Sequence, residues 1–168
     1  MYFGMDDGTW LFLEQLVTTA DNGLTIIVSK TMQQKPTEPT IEKIKAVFGD
    51  SEDILRKFEG YMTLLPDSEQ MYRIHFEHYL IYQCSDESYA AYDHDEIRIG
   101  QGLVLFEKSK LLEHMDKFIY TDLAQDLHGT TASGERRELR HYGVYTLDSI
   151  VDIITFFEPV IERVDRRK

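Results

Sequence analysis

The period with which apolar and polar residues alternate changes along the chain, and each change predicts an element. Over residues 70–84 the even positions carry Tyr72, Ile74, Phe76, His78, Leu80, Tyr82 and Cys84, and the odd ones include Arg73, His75, Glu77 and Gln83. Period two over that length predicts a strand with one buried face, bent or bulged somewhere along its run. Residues 9–18 are apolar on both parities, Trp10, Phe12 and Leu16 against Leu11, Leu13 and Val17. Asn22-Gly23 follows, a pair that tolerates the positive φ of a tight turn, and then Leu24-Thr25-Ile26-Ile27-Val28. An opening β-hairpin over 9–31 is predicted.

Helical spacing appears next. Past a polar loop at 33–40 containing Pro36 and Pro39, Ile41, Ile44, Val47 and Phe48 recur every three to four residues until Gly49. Ser51 is a suitable N-cap for a second helix over 52–59, with Glu52 and Asp53 in its first turn. Ser109 can cap a third helix in which Leu111, Met115 and Phe118 share a face. Leu103-Val104-Leu105-Phe106 reads as a short strand after Gly100-Gln101-Gly102, and 139–145 and 149–157 as a closing pair, with Pro159 ending the second. The stretch 127–140 reads as an exposed loop, locally basic through Arg136, Arg137 and Arg140, and the charged tail 163–168 as frayed. The fold class this implies is α+β: mainly antiparallel β, a sandwich or strongly bent sheet, with two to three short helices. One globular domain over 1–168 is expected, built from the hairpin 9–31, the helical insert 41–59 and a β-rich remainder 70–162, since a lone hairpin is not stable in water.

Composition narrows the class. With 168 residues and 42% hydrophobic content the chain can bury a core. A net charge of −12 repels phosphate backbones, which argues against nucleic acid as a partner, and it attracts basic surfaces. The same charge also serves solubility alone. Met1 to Asp7 contains no basic, apolar leader, no apolar run is long enough for a bilayer, and the single Cys84 cannot form an internal disulfide. A cytoplasmic protein without membrane contact is expected.

The charge is uneven. Residues 74–97 hold Glu77, Asp86, Glu87, Asp93, Asp95 and Glu96 and no Lys or Arg. Tyr89 and Tyr92 sit among these acids, so Asp86, Glu87, Tyr89, Tyr92, Asp93, Asp95 and Glu96 form the candidate partner-binding set: tyrosines supply contact area and acids select a basic partner. The plainer reading is a solvated loop whose tyrosines fold back on the core. A metal site from His75, His94, Asp93 and Asp95 is the runner-up, but neither an EF-hand nor a His-Glu-x-x-His spacing is present, so no metal or cofactor is expected. His78 and His141 read as hydrogen-bonded core histidines. Cys84, on the buried parity, reads as a small hydrophobe. No nucleophile elbow, phosphate-binding glycine loop or dinucleotide fingerprint occurs, and no catalytic residue is assigned.

Several short motifs bear on kinship: Ser85-Asp86-Glu87-Ser88-Tyr89, Lys108-Ser109-Lys110-Leu111-Leu112, His141-Tyr142-Gly143-Val144, Ile150-Val151-Asp152-Ile153-Ile154 and Glu158-Pro159-Val160-Ile161. Through them, residues 70–162 resemble a group of small bacterial β-rich proteins of unknown function, and the segment 41–59 departs from that pattern. The resemblance implies a compact β-rich fold and no activity. The leading expectation is a non-enzymatic acidic interaction protein that binds a basic protein partner, a bacterial immunity-type protein being one instance. The alternatives are a small-molecule or metal-dependent enzyme using His, Asp and Glu of the 75–96 region, and a homo-oligomeric structural protein pairing edge strands. Oligomeric state is left open.

Overall fold

A computed structural model describes residues 7–49, 52, 53, 56, 62–117 and 119–164. Strands β1 (Leu11–Thr18), β2 (Leu24–Gln34), β3 (Thr63–Phe76) and β9 (Val160–Val164) form one antiparallel sheet in the order β1-β2-β3-β9. Strands β4 (Ile81–Asp86), β5 (Ile97–Ile99), β6 (Leu103–Lys108), β7 (Arg140–Tyr145) and β8 (Ser149–Thr155) form a second, in the order β4-β8-β7-β6-β5. Among the described residues three short helices can be delimited, α1 (Glu38–Phe48), α2 (Lys110–Glu113) and α3 (Thr121–His128), and the fold is α+β and mainly antiparallel β. Among the described residues no helix is long and apolar enough to cross a membrane.

The sheets share one apolar core. Leu24, Ile26 and Val28 of β2 and Ile74 and Phe76 of β3 cluster with Leu103, Tyr142, Val144, Val151 and Ile153 of the second sheet. Phe76 and Tyr142 meet across the interface with ring centroids 5.5 Å apart. The mixed parity of the first strand also has a cause. The β1–β2 register shifts between Leu13 and Gln15, so Leu11 and Leu13 before the bulge and Leu16 after it all face the core, while Trp10 and Val17 are exposed. Ser29 Oγ donates to Glu14 Oε1 at 2.6 Å beside this bulge.

The predicted single strand 70–84 is two strands in different sheets. The chain leaves the first sheet after Phe76, turns through 77–80 and enters the second at Ile81. Its neighbour does the reverse: β8 ends at Thr155, turns through 156–159 at Pro159 and continues as β9. Since β3 pairs with β9 and β4 with β8, the two strands cross between sheets side by side. Thr155 clamps the crossing. Its buried hydroxyl donates to the His78 carbonyl at 2.6 Å and accepts from the Phe157 N–H at 3.0 Å. The Tyr79 and Leu80 N–H groups donate to Asn22 O and Ile154 O. The even positions face inward on both sides of the turn, Ile74 and Phe76 before it and Tyr82 after it. Cys84, expected to be buried, is exposed, and His78 is a half-buried corner residue rather than a core one.

Smaller differences have local reasons. Helix α1 starts at Glu38 instead of Ile41 because Pro39 fits the first turn, where no N–H is required. Ser109 caps α2 as expected, accepting from Leu112 N, but α2 is only one turn and a 3₁₀ turn at Met115–Lys117 follows. Helix α3 occupies the start of the expected 127–140 loop, and β5 and β9 were not expected. The second predicted helix, 52–59, lies largely outside the described residues; Glu52, Asp53 and Arg56 are helical. Phe118 and the tail from 165 also lie outside them.

Two predictions follow from the crossing. Thr155→Val keeps the shape but strands a carbonyl and an amide, and should lower stability by about 1–3 kcal/mol in urea unfolding; an unchanged midpoint would show that the clamp is dispensable. At the same corner His78 stacks on His128 with ring centroids 4.0 Å apart. Burial, and then the charge of His128, hold the His78 imidazole below the usual histidine range, against a smaller opposing effect of Glu77. Below the ordinary pKa of 6.5 the unfolded chain therefore takes up a proton that the folded corner resists, and stability falls as pH drops from 7 towards 5. His128→Gln should reduce that fall, and an identical acid loss in both proteins would exclude the pair as its source.

Candidate functional site

The outer face of the second sheet carries polar side chains in rows set by strand register. Arg98 of β5 pairs with Phe106 of β6, and Phe106 with His141 of β7. In the adjoining row Gly143 pairs with Asp152 of β8, and Asp152 with Gln83 of β4. A one-residue slip of any strand would turn its members into the core. Gly143 leaves room in the middle of this face. A Cβ there would lie 2.7 Å from Tyr145 Cε2 and 3.2 Å from Phe106 Cε2, so the glycine lets both rings lie across it.

Around these rows is a cleft of about 320 Å³. His141, Phe106, Tyr145, Ile150 and Asp152 form its floor, and the 86–96 connection with Arg98 forms one wall. Gln83, Ser85, Asp86 and Tyr89, all exposed, form its rim. A second hollow of about 480 Å³ beside Trp10 and Gly102 shares Tyr92, Arg98 and Tyr145 with it.

A relay of three side chains runs from beneath the floor into it. Ser109 Oγ lies 2.7 Å from His141 Nδ1, and His141 Nε2 lies 3.0 Å from Asp152 Oδ1. The Ser109 oxygen accepts from the Leu112 N–H at 3.1 Å and keeps its own proton to donate, whereas the Asp152 carboxylate can only accept. That assigns the proton of a neutral His141 to Nε2, which donates to Asp152. Phe106 stacks on the imidazole face at 3.8 Å with planes 6° apart, and Gln83 Nε2 donates to Asp152 Oδ2 at 3.0 Å.

These are the residue types of a hydrolytic triad in a different arrangement. Ser109 is buried and does not line the cleft, and the order of partners on the ring is reversed relative to a serine hydrolase. The group presented to the cleft is the Asp152 carboxylate, 14% exposed and held by two donors. The expectation for His141, buried and hydrogen-bonded, matches this geometry; the role of Asp152 was missed. Its one sequence signal is a lone acid at the centre of an otherwise apolar strand, Ile150-Val151-Asp152-Ile153-Ile154.

The acidic connection forms a rigid wall. Asp86 caps the turn Glu87–Tyr89 by accepting from Ser88 N, and Glu87 Oε1 accepts from the Tyr92 hydroxyl at 3.1 Å. Asp93 accepts from Asp95 N and pairs with Lys110, whose hydrogen bond holds the Asp93 carboxyl below its usual range. Glu96 pairs with Arg98 at 2.8 Å and accepts from the Lys110 N–H. The Arg98 guanidinium lies over the rings of Tyr92, Phe106 and Tyr145, at 5.0, 5.3 and 6.0 Å from their centroids. Burial pushes the Tyr145 phenol up to about 12, so it remains a neutral wall group. Tyr89 projects outward, 87% exposed, and Tyr92 is exposed but stacked on Tyr145.

The seven candidate binding residues therefore run from the end of β4 along the connection; Asp86, Tyr89, Tyr92 and Glu96 line the cleft, and Glu87 is bonded to Tyr92 beside it. The runner-up metal set is not gathered. His75 lies in the first sheet and bonds Thr25 Oγ1 through Nδ1 at 3.0 Å, whereas His94 is exposed on the connection. Among the described residues no group of three or more His, Cys, Asp or Glu side chains converges as metal ligands. No family model, curated protein or solved structure matches the chain.

Removing the relay's first member tests the assignment. Ser109→Ala deletes a helix cap and the donor to His141, and should lower stability by about 1–3 kcal/mol. Ring nitrogen shifts should show the Nε2–H form of His141 in the wild type; an Nδ1–H form would contradict the direction of the relay.

Proposed function

We propose that the protein is a non-enzymatic binding module whose recognition face is the 86–96 connection and the cleft beneath it, and that its partner is a basic protein. The observation that carries this reading is that carboxylates are held in place around an open cleft beside an outward-facing tyrosine. Prior immobilisation of the acids and of Tyr92 lowers the ordering cost of association. Tyr89, almost fully exposed, offers an aromatic anchor at the rim. The excess acid over the whole chain would steer a basic partner toward it. A bacterial immunity-type protein that neutralises a basic toxin is one form such a module takes.

The test is a comparison of baits in lysate of the source organism at low and high salt, with wild type beside Tyr89→Ala and Asp95→Lys. Both substitutions fall on exposed side chains, and Asp95 has only a 3.9 Å approach to Lys110. A basic protein retained by the wild type at low salt, released at high salt and lost by both variants is the expected result. Retention of the same proteins by all three baits would place any interaction elsewhere on the surface.

A further inference from the structure

We infer that the cleft is a receptor for one cationic side chain of the partner, arginine in preference to lysine, with the Asp152 carboxylate as its counter-ion. This rests on the basic-partner reading above and names the group that would enter. Three carboxylates line the cleft, Asp86, Glu96 and Asp152, against the single guanidinium of Arg98, which Glu96 already neutralises. Beyond that pair, Asp152 and Asp86 give the cleft excess negative charge at its floor and its rim.

Asp152 suits a guanidinium in particular. Each carboxylate oxygen has two acceptor sites, and Oδ1 and Oδ2 each use one, on His141 and Gln83. One site on each oxygen remains, and a carboxylate with a site left on both oxygens can receive the paired N–H bonds of an arginine fork. The Ser109–His141 relay and the Gln83 amide hold the plane of the carboxylate, and a planar bidentate acceptor rewards arginine over the point charge of lysine. The cleft walls already accommodate such a group: Arg98 packs over Tyr92, Phe106 and Tyr145 while bonded to a carboxylate. The volume of about 320 Å³ admits an arginine side chain entering between Ser85 on β4 and Tyr89 on the connection.

The probe is N-acetyl-argininamide titrated into the full chain and followed by amide and side-chain NMR shifts, with N-acetyl-citrullinamide as the neutral isostere and N-acetyl-lysinamide as the point-charge comparator. Saturable shifts at the Gln83 side-chain amide, the His141 ring and residues 85–98 are expected for the arginine probe. The citrulline probe should give none, and lysine weaker ones. Asp152→Asn should weaken arginine binding about tenfold or more, the loss of one charge-assisted pair. Because Asp152→Asn disturbs the relay, Ser85→Tyr supplies a second variant; it sits on an exposed edge strand, changes no charge and fills the opening, and should abolish the shifts. Equal response to citrulline or lysine, or full binding by Ser85→Tyr, would overturn the inference. A basic partner that depends on Tyr89 and Asp95 but binds Asp152→Asn and Ser85→Tyr unchanged would overturn it too, while leaving the docking face in place. Arginine shifts with no basic partner would do the opposite.

Discussion

The side-by-side crossing of two strands from one sheet to the other is the constraint on which the rest of the molecule depends. A strand that changes sheet leaves backbone groups unpaired at the bend, and a buried unpaired group costs as much as a lost hydrogen bond. Here two bends coincide, so each supplies partners for the other: Thr155 to the His78 carbonyl and Ile154 O to the Leu80 N–H. With the corner pinned, the β4–β8 register is set, from Ile81 opposite Ile154 to Gln83 opposite Asp152. The floor of the cleft thus follows from a clamp at the other end of β8. Pinned corners also let one apolar cluster run through both sheets, because β3 and β8 each carry their inward residues to the same interface.

The elements legible in the sequence were those with a local cause. The Asn22-Gly23 turn set the first hairpin, and Asn22 has the positive φ that the turn needs. The Ser109 cap and the Pro159 break fell where expected. What period two could not show was the turn at 77–80, since Glu77-His78-Tyr79-Leu80 continues the alternation of its flanks without a glycine or proline to interrupt it. The interruption is tertiary, made by Thr155, a residue 77 positions along the chain. Parity did survive that corner, and Cys84 was misjudged for another reason: it keeps the inward side, opposite Val151, but is exposed towards the end of the edge strand β4.

The site was legible to the same extent and for the same reason. Its wall is a run of neighbours, so the acids and tyrosines between Asp86 and Glu96 stood out in the sequence. Its floor, with the relay beneath it, is assembled from β4, β6, β7, β8 and the residue before α2, and none of these segments carries a motif alone. Local charge counts misled in one respect. The window 74–97 contains no Lys or Arg, yet Lys110 and Arg98 reach into it from just beyond and pair with Asp93 and Glu96. The acids of the connection act partly as its internal scaffold.

That scaffold decides how the Ser109–His141–Asp152 relay should be understood. In a serine hydrolase both histidine nitrogens are also engaged, one by the acid and the other by a serine whose oxygen the substrate can reach. Both nitrogens of His141 are occupied and Ser109 is covered, while Phe106 fixes the ring plane. Every one of these contacts reduces the freedom of the next group in line, and the line ends on a carboxylate that faces the cleft. Orienting an anion at the base of an aromatic-walled cavity is what the proposed binding role asks of such a chain. Binding energy drawn from a charge pair is greatest when the protein's own half is already dehydrated and aimed before the partner arrives. Asp152, mostly covered yet keeping an acceptor site on each oxygen, meets that condition better than any of the more exposed acids on the loop above it.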